Sequence, residues 1–209
     1  MLLPERIITL VSIIWAVIAL TFQVVCARGS GRKDYSVPAG SPIKGIIYSF
    51  TWAMLPSHKE TIRLHPVWFT VGVVMHIGIL LAMSKVLLVL INPQMAPIGV
   101  TIFRSLFPVA LLCAIILFLK RIFSVTLRSM SSPDDYISIL LVIDFLFVAL
   151  AREFGWMNPG VFLIHASVLF FYLPLGKLKH ALFFFVARAD YGARLGYRGT
   201  YPAKIGVKE

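Results

Sequence analysis

The chain has 209 residues, of which 59% are hydrophobic, and most of these lie in long apolar runs. A soluble domain holds about 45–50% apolar residues, so this pattern argues against a water-soluble domain and predicts an all-α integral membrane protein. The net charge of +11 lies in the connections between the runs, where basic residues orient helices and attract anionic lipid. Nucleic-acid binding is therefore not expected.

Five apolar runs are long enough to cross a hydrocarbon core about 30 Å thick, which takes roughly 20 residues. The fourth run is the shortest and contains Asp144. The predicted transmembrane helices are Ile7–Ala27, Pro66–Ile91, Pro97–Leu119, Tyr136–Ala151 and Gly160–Val186.

The first run is interpreted as a retained helix and not as a signal peptide, because its basic flank (Arg28, Arg32 and Lys33) follows the apolar segment. Lys and Arg number six between the first two runs, none in the turn NPQMAP, three after the third run, one (Arg152) after the fourth and seven from Lys177 onward. This alternation predicts an outside N-terminus, a cytoplasmic C-terminus and a multi-pass protein of the cell's inner (cytoplasmic) membrane. The membrane domain is expected over 1–186 and a basic cytoplasmic tail over 187–209.

Two further segments are too short or too polar to span. SPIKGIIYSFTWAML, Ser41–Leu55, is predicted to form an amphipathic helix at the cytoplasmic interface. The basic, Gly-rich and aromatic tail is either a frayed end attracted to lipid or a strap that docks a cytoplasmic partner. Cys26 and Cys113 are isolated, so the sequence encodes no CxxC-based iron–sulfur cluster, zinc site or covalent haem.

Four of the five histidines fall on two predicted helices: His65 and His76 on the second, and His165 and His180 on the fifth. At about 100° per residue, the first pair lies roughly 20° apart around its helix and the second pair roughly 60° apart. Pro174 lies between the second pair and is expected to bend that helix and improve the alignment. Each helix is thus predicted to present two imidazoles on one side.

The axial separations within the two pairs are about 16 Å and 22 Å. Antiparallel packing places His65 level with His180 near the cytoplasm and His76 level with His165 toward the outside, if helix tilt absorbs about 6 Å. Two imidazoles at one level form the axial ligands of a six-coordinate b-type haem. The pattern therefore predicts two haem b groups.

Other interpretations stay open for single residues. A lone histidine within the membrane more often bonds a neighbouring helix or relays a proton, whereas four at compatible depths favour haem. His58, in the basic loop, is expected at the interface and is the reserve ligand if His65 fails. Gly72 and Gly78 either leave room for a flat macrocycle or serve ordinary helix packing.

A family resemblance follows from these features. Five helices, an outside N-terminus and LPLGKLKH, Leu173–His180, resemble the gamma subunit of respiratory nitrate reductase and its Pro-aromatic-small-basic-Leu-x-His segment. The tail motif ARLGYRGTYP is nearer to the cytochrome b subunits of heterodisulfide-reductase-like and sulfate-reducer complexes. The resemblance covers most of the chain from Lys59 onward and implies that His180 ligates the cytoplasmic-side haem. His165 departs from the family pattern, because it lies about one helical turn nearer to Pro174.

Three cations in or beside the predicted spans have two interpretations each. Lys85 either extends to lipid headgroups or donates a hydrogen bond to a quinone, whose site the resemblance implies to be near the outer haem. Arg104 and Arg152 either bind anionic haem propionates or form ion pairs, such as Arg152 with Glu153 or Arg104 with Asp144. Asp144 is alternatively a proton relay.

The sequence therefore predicts the membrane cytochrome b subunit of a respiratory complex. Two b-type haems would move electrons between a quinone pool near the outer face and cytoplasmic iron–sulfur subunits, in either direction. The alternative is a haem-free transporter or assembly factor that uses intramembrane His and Asp side chains as a proton or metal path. A membrane anchor with a single haem is a third interpretation.

Overall fold

The computed structural model describes residues 3–31, 37–58, 62, 64–92 and 100–201, and this part of the chain is built of helices. Short 3-10 turns occupy Trp52–Met54, Pro56–His58 and Lys177–Lys179. The α-helices are α1 (Leu3–Gly29), α2 (Pro42–Phe50), α3 (Pro66–Ile91), α4 (Val100–Phe123), α5 (Val125–Ser129), α6 (Pro133–Glu153), α7 (Pro159–Tyr172) and α8 (His180–Tyr197).

Helix starts coincide with proline and with small polar caps. Proline occupies the first position of α2, α3, α6 and α7, where its missing N–H costs no intrahelical hydrogen bond. The Asn158 side chain accepts a hydrogen bond from the backbone N–H of Val161 at 3.0 Å, and the Asp135 carboxylate accepts from the backbone N–H of Ser132 at 2.8 Å. These caps satisfy backbone donors that the first helical turn leaves free.

Three helices in the described chain, α1, α3 and α4, have the length and apolar composition to cross a membrane. A fourth is reached only if α7 and α8 are taken together as one broken span. The predicted helix Pro66–Ile91 is confirmed with its bounds, and α1 extends the first prediction at both ends. The start of the third prediction, Pro97, and most of the turn NPQMAP lie outside the described residues.

The fourth and fifth predicted spans differ from the structure. Helix α6 forms and is longer than Tyr136–Ala151, but Asp144 and the charged residues at its two ends exclude it from the apolar candidates. The prediction of one continuous helix over Gly160–Val186 is wrong, because α7 ends at Tyr172 and α8 starts at His180. Pro174 has no N–H to continue the helical bonding, so a break replaces the expected bend.

The chain divides into two compact units. The first comprises Met1–Ala19 and Val67–Leu178, and the second comprises Leu20–Pro66 and Lys179–Glu209. Helix α8 also continues through the boundary that the sequence placed between the membrane domain and the tail at 186/187.

Neighbouring long helices of the first unit run in alternate directions. At one end, Lys120 of α4 lies 3.6 Å from the ring centre of Trp68 in α3, and Arg121 of α4 lies 3.1 Å from Asp135 of α6. At the other end, Lys85 in the second half of α3 forms an ion pair with Glu153, the last residue of α6. Helices α3 and α6 are therefore parallel to each other and antiparallel to α4.

Helix α1 runs in the same direction as α7. The Thr9 hydroxyl donates to the Leu163 carbonyl at 3.1 Å and lies 3.0 Å from the Ser167 hydroxyl. Two turns further on, the Trp15 indole N–H donates to the Phe171 carbonyl at 3.1 Å. The core of this unit is apolar, and its largest fully buried side chains include Phe107, Phe145, Leu146, Phe162 and Leu163.

In the second unit, α2 and α8 form an antiparallel pair with very close backbones. A Cβ on Gly192 would lie 2.7 Å from the Gly45 carbonyl oxygen, and a Cβ on Gly196 would lie 2.9 Å from the Gly45 Cα. The Ser49 hydroxyl donates to the Arg188 carbonyl at 3.0 Å, and the Arg188 guanidinium returns a hydrogen bond to the Ser49 carbonyl at 2.9 Å. Only glycine permits this approach along most of the pair's length.

Candidate cofactor-binding site

His165 makes a strong hydrogen bond across two helices of the first unit. Its Nδ1 lies 2.7 Å from Asp144 Oδ2, which joins α7 to α6, and the two side chains are 37% and 44% exposed. Because a carboxylate accepts hydrogen bonds, Nδ1 carries the proton and the lone pair of Nε2 is available for a ligand. Metal-binding histidines commonly have a carboxylate partner of this kind, which fixes the ring and its tautomer.

His76 has an equivalent arrangement within α3. Its Nδ1 donates a hydrogen bond to the Gly72 carbonyl at 2.7 Å, which orients the ring. A Cβ on Gly72 would meet no atom within 4 Å, whereas one on Gly78 would collide with Ala110 of α4. Gly78 therefore serves helix packing, and Gly72 leaves open space on the same face as His76.

His76 and His165 lie at about the same depth in the first unit. Lys85 and Glu153 are in contact, and His76 and Asp144 each lie nine residues before this contact on parallel helices. At 1.5 Å per residue, both are about 14 Å from the ion pair. Since Asp144 binds His165, the two imidazoles share one level. His76 lies on the exposed face of α3, roughly opposite the face that contacts α4 through Gly78.

The ion pair at the end of this unit is buried. Lys85 Nζ lies 2.8 Å from Glu153 Oε1, and the two side chains are only 13% and 3% exposed. The ammonium also lies 4.7 Å from the ring centre of Phe103. Lys85 therefore does not extend to headgroups, as one interpretation of the sequence held. The sequence suggested Arg152 as an ion-pair partner of Glu153, and the structure pairs Glu153 with Lys85.

Arg104 binds the backbone at the end of α6. Its Nε and Nη2 donate to the Glu153 carbonyl at 3.1 and 2.9 Å, and the guanidinium lies 5.6 Å from the ring centre of Phe154. The alternative pair of Arg104 with Asp144 is wrong, because these two described residues have the other partners given above. Arg152 lies in the last turn of α6, next to Glu153.

The other predicted ligands belong to the second unit. His65 immediately precedes α3 and donates its backbone N–H to the Ile62 carbonyl at 3.2 Å, and His180 is the first residue of α8. Both are exposed. Because His180 and His165 lie on different helices, the predicted angle between them does not apply. The two histidines predicted for each haem nevertheless belong to the same unit.

His58, the reserve ligand, lies 5.5 Å from Trp52 between ring centres, and its Nδ1 is 3.1 Å from the Ser57 hydroxyl. These contacts keep the imidazole on its own loop.

A second polar cluster, which the sequence did not reveal, lies at the opposite end of the first unit. Asp134 accepts hydrogen bonds from the Tyr172 hydroxyl and from the backbone N–H of Lys177 at 2.8 Å. Asp135, which precedes the predicted span Tyr136–Ala151, binds the Lys177 ammonium and the Arg121 guanidinium. The hydrogen bond from Lys177, helped by the Ser132 backbone N–H and Arg121, lowers the Asp135 pKa to about 2. The cluster holds the chain where α7 ends.

Among the described residues, no three His, Cys, Asp or Glu side chains converge as a metal-ion site. A bis-histidine haem needs only two such side chains for each iron. No model of a known protein family matches the chain, and neither characterised proteins nor solved structures match it.

Proposed function

We propose that this protein is a membrane cytochrome b subunit of a respiratory complex. Its histidines would hold two b-type haems, His76 and His165 one and His65 and His180 the other. It would exchange electrons between a quinone near the outer face and a cytoplasmic iron–sulfur subunit of the same complex. The proposal includes an outside N-terminus and the inner (cytoplasmic) membrane.

The single observation that carries the proposal concerns His76 and His165. Each donates its Nδ1–H to an oxygen, of Gly72 or Asp144, which orients the imidazole ring. The register set by Lys85 and Glu153 places these two imidazoles at one depth. Orientation through Nδ1 and a common level are two of the conditions that the axial ligands of one iron must meet, and the proposal adds the third, that the two imidazoles face each other across the haem.

The bound haems would supply reversible one-electron transfer across the membrane. The protein's own part is to hold and orient them. Asp144 fixes the His165 ring, the Gly72 carbonyl fixes the His76 ring, and the absent side chain at Gly72 leaves space beside it. Arg104 and Arg152 are proposed to neutralise haem propionates, although the Arg104 guanidinium already binds the Glu153 carbonyl.

Lys85 remains the proposed quinone-binding residue. An ammonium group has three N–H donors, and the Glu153 carboxylate accepts from one of them at 2.8 Å. A second donor is then free to bind a quinone carbonyl. The neighbouring Glu153 carboxylate is a nearby acceptor for the proton that a quinol releases on oxidation.

One observation favours the haem-free alternative. The Asp144–His165 pair is also a common proton-relay arrangement, because a carboxylate and an imidazole 2.7 Å apart can pass a proton. A transporter or assembly factor would use this pair without iron.

Histidine variants separate the two functions. Replacing His76 by Ala is expected to remove one haem of two, and replacing His180 by Ala to remove the other, measured as haem per purified chain. His58→Ala is the matched control, since it removes an exposed imidazole outside the proposed ligand set and should retain both haems. If His76→Ala and the control bind the same amount of haem, His76 is not a ligand.

A further inference from the structure

Helices α2 and α8 pack side by side as one structural element, because their contacts extend along both helices. Gly45 packs against Gly192 and Gly196, and Ser49 exchanges hydrogen bonds with Arg188. Beyond them, Phe50 stacks on Phe185 with ring centres 6.2 Å apart. The two helices therefore lie side by side, and α8 has the same orientation relative to a membrane as α2.

Helix α2 cannot cross a membrane. Its nine residues extend about 14 Å, roughly half of a hydrocarbon core about 30 Å thick. The glycine contacts tie α8 to this short helix, so α8 is better explained as a neighbour of α2 than as the second half of a span that α7 begins.

Helix α2 has an exposed apolar face on the side opposite Gly45. Ile43 and Ile47 are 69% and 57% exposed and share one face of α2 with Phe50. This face is roughly opposite Gly45 on the helical wheel, and at the end of α2 the Phe50 ring stacks on Phe185 of α8. An exposed apolar stripe on a short helix is typical of segments that lie in the membrane interface.

The charge of this unit is strongly positive. Its one described acidic residue, Asp190, lies 3.3 Å from Arg28. Its described basic residues number six, namely Arg28, Lys44, Lys179, Arg188, Arg194 and Arg198. A basic, apolar-faced element matches the anionic headgroups of a bilayer in charge and in polarity.

We infer that α2 and α8 form an antiparallel helix pair that lies on the membrane surface and binds anionic phospholipid headgroups. Its apolar stripe enters the acyl boundary and its arginines and lysines bind the headgroups. Helix α8 then completes no span. This inference does not depend on haem, although the proposed ligand His180 is the first residue of α8.

Spin labels on α8 measure its orientation directly. Phe184 and Tyr191 are exposed, lie seven residues apart and share one face of the helix. In a background where Cys26 and Cys113 are replaced by Ser, each is changed to Cys in turn and labelled. The full-length protein is placed in bilayers of phosphatidylcholine with or without phosphatidylglycerol, and depth is read from collisions with oxygen and with a nickel chelate.

A surface helix puts both α8 labels at equal, shallow depth, and the inference expects this only when phosphatidylglycerol is present. Val11 and Ile18 of α1 provide the matched control, because they are exposed, seven residues apart and on a candidate span, so their depths should differ by about 10 Å. A difference of about 10 Å between the α8 labels overturns the inference in favour of a span.

Two other outcomes also contradict it. Equal depth in both lipid mixtures means that anionic headgroups are not what the basic residues bind. Labels that stay in water in both mixtures mean that the helix pair does not bind the bilayer. An acidic soluble partner would then be the better match for its basic surface.

Discussion

Replacing Lys85 by Met tests the buried ion pair that sets the register of the site. The ammonium lies 2.8 Å from Glu153, whose side chain is only 3% exposed. The substitution keeps a flexible side chain of similar length but leaves a carboxylate without its cation. Removing one partner of a buried pair typically costs about 3–5 kcal/mol, because the remaining charge stays desolvated. We expect a loss of that size for Lys85→Met and for Glu153→Gln.

The double variant provides the sharper result. With both charges gone, no desolvated ion remains, and replacing a whole buried pair is often close to neutral. We therefore expect the double variant to be more stable than either single variant. Stability is measured as the free energy of unfolding in mixed micelles of a mild detergent and dodecyl sulfate. Lys44→Met, at an exposed site, serves as the control and should change this free energy by less than about 0.5 kcal/mol.

The reasoning fails if the two single losses simply add in the double variant. Additive losses mean that the groups do not interact, so α3 and α6 have a different register and the common depth of the two imidazoles is lost. A loss below about 1 kcal/mol for Lys85→Met also contradicts it, since exposed ion pairs contribute that little.

Three further predictions concern other parts of the chain. Gly192→Ala should destabilise the protein by about 1–3 kcal/mol in the same unfolding assay by forcing α2 and α8 apart, whereas Gly29→Ala, where a Cβ meets nothing within 4 Å, should not. Asp135→Asn should cost about 1.5–3 kcal/mol at neutral pH. Because the native pKa of Asp135 is lowered from 3.8 to about 2, the melting-temperature gap to wild type should be full above about pH 4 and close as pH falls toward 2; a gap unchanged down to pH 2 would contradict this. Asp144→Asn should weaken haem binding about 10–100-fold, measured by haem titration of the stripped protein, because His165 loses its orienting carboxylate; unchanged affinity would refute that role.

The helices were predictable from sequence where a local rule determines them. Pro66 starts α3 and a predominantly apolar run continues it to Ile91, so this helix has the predicted bounds. The break after Tyr172 was not predictable in the same way. A proline inside an apolar run either bends or ends a helix, and the choice depends on neighbours. Here Asp134, 43 residues before Lys177 in sequence, accepts a hydrogen bond from the backbone N–H of Lys177 beyond the break.

The site shows the same division. Histidine spacing selected His76 and His165, but their partners follow from three-dimensional packing. Sequence alone left Asp144 open between an arginine partner and a relay role, whereas the structure pairs it with His165. The glycine contacts between α2 and α8 depend on residues about 150 positions apart, and no periodicity within either segment indicates them. Local sequence patterns do not reveal long-range contacts of this kind.

The most direct test of the central claim is the absorption spectrum of the purified, membrane-extracted chain, with haem counted by the pyridine haemochrome method. The account predicts two haem b per chain, with the sharp reduced-state bands of six-coordinate, bis-histidine iron. A preparation that remains folded and shows no Soret band, even after incubation with haem, would contradict it.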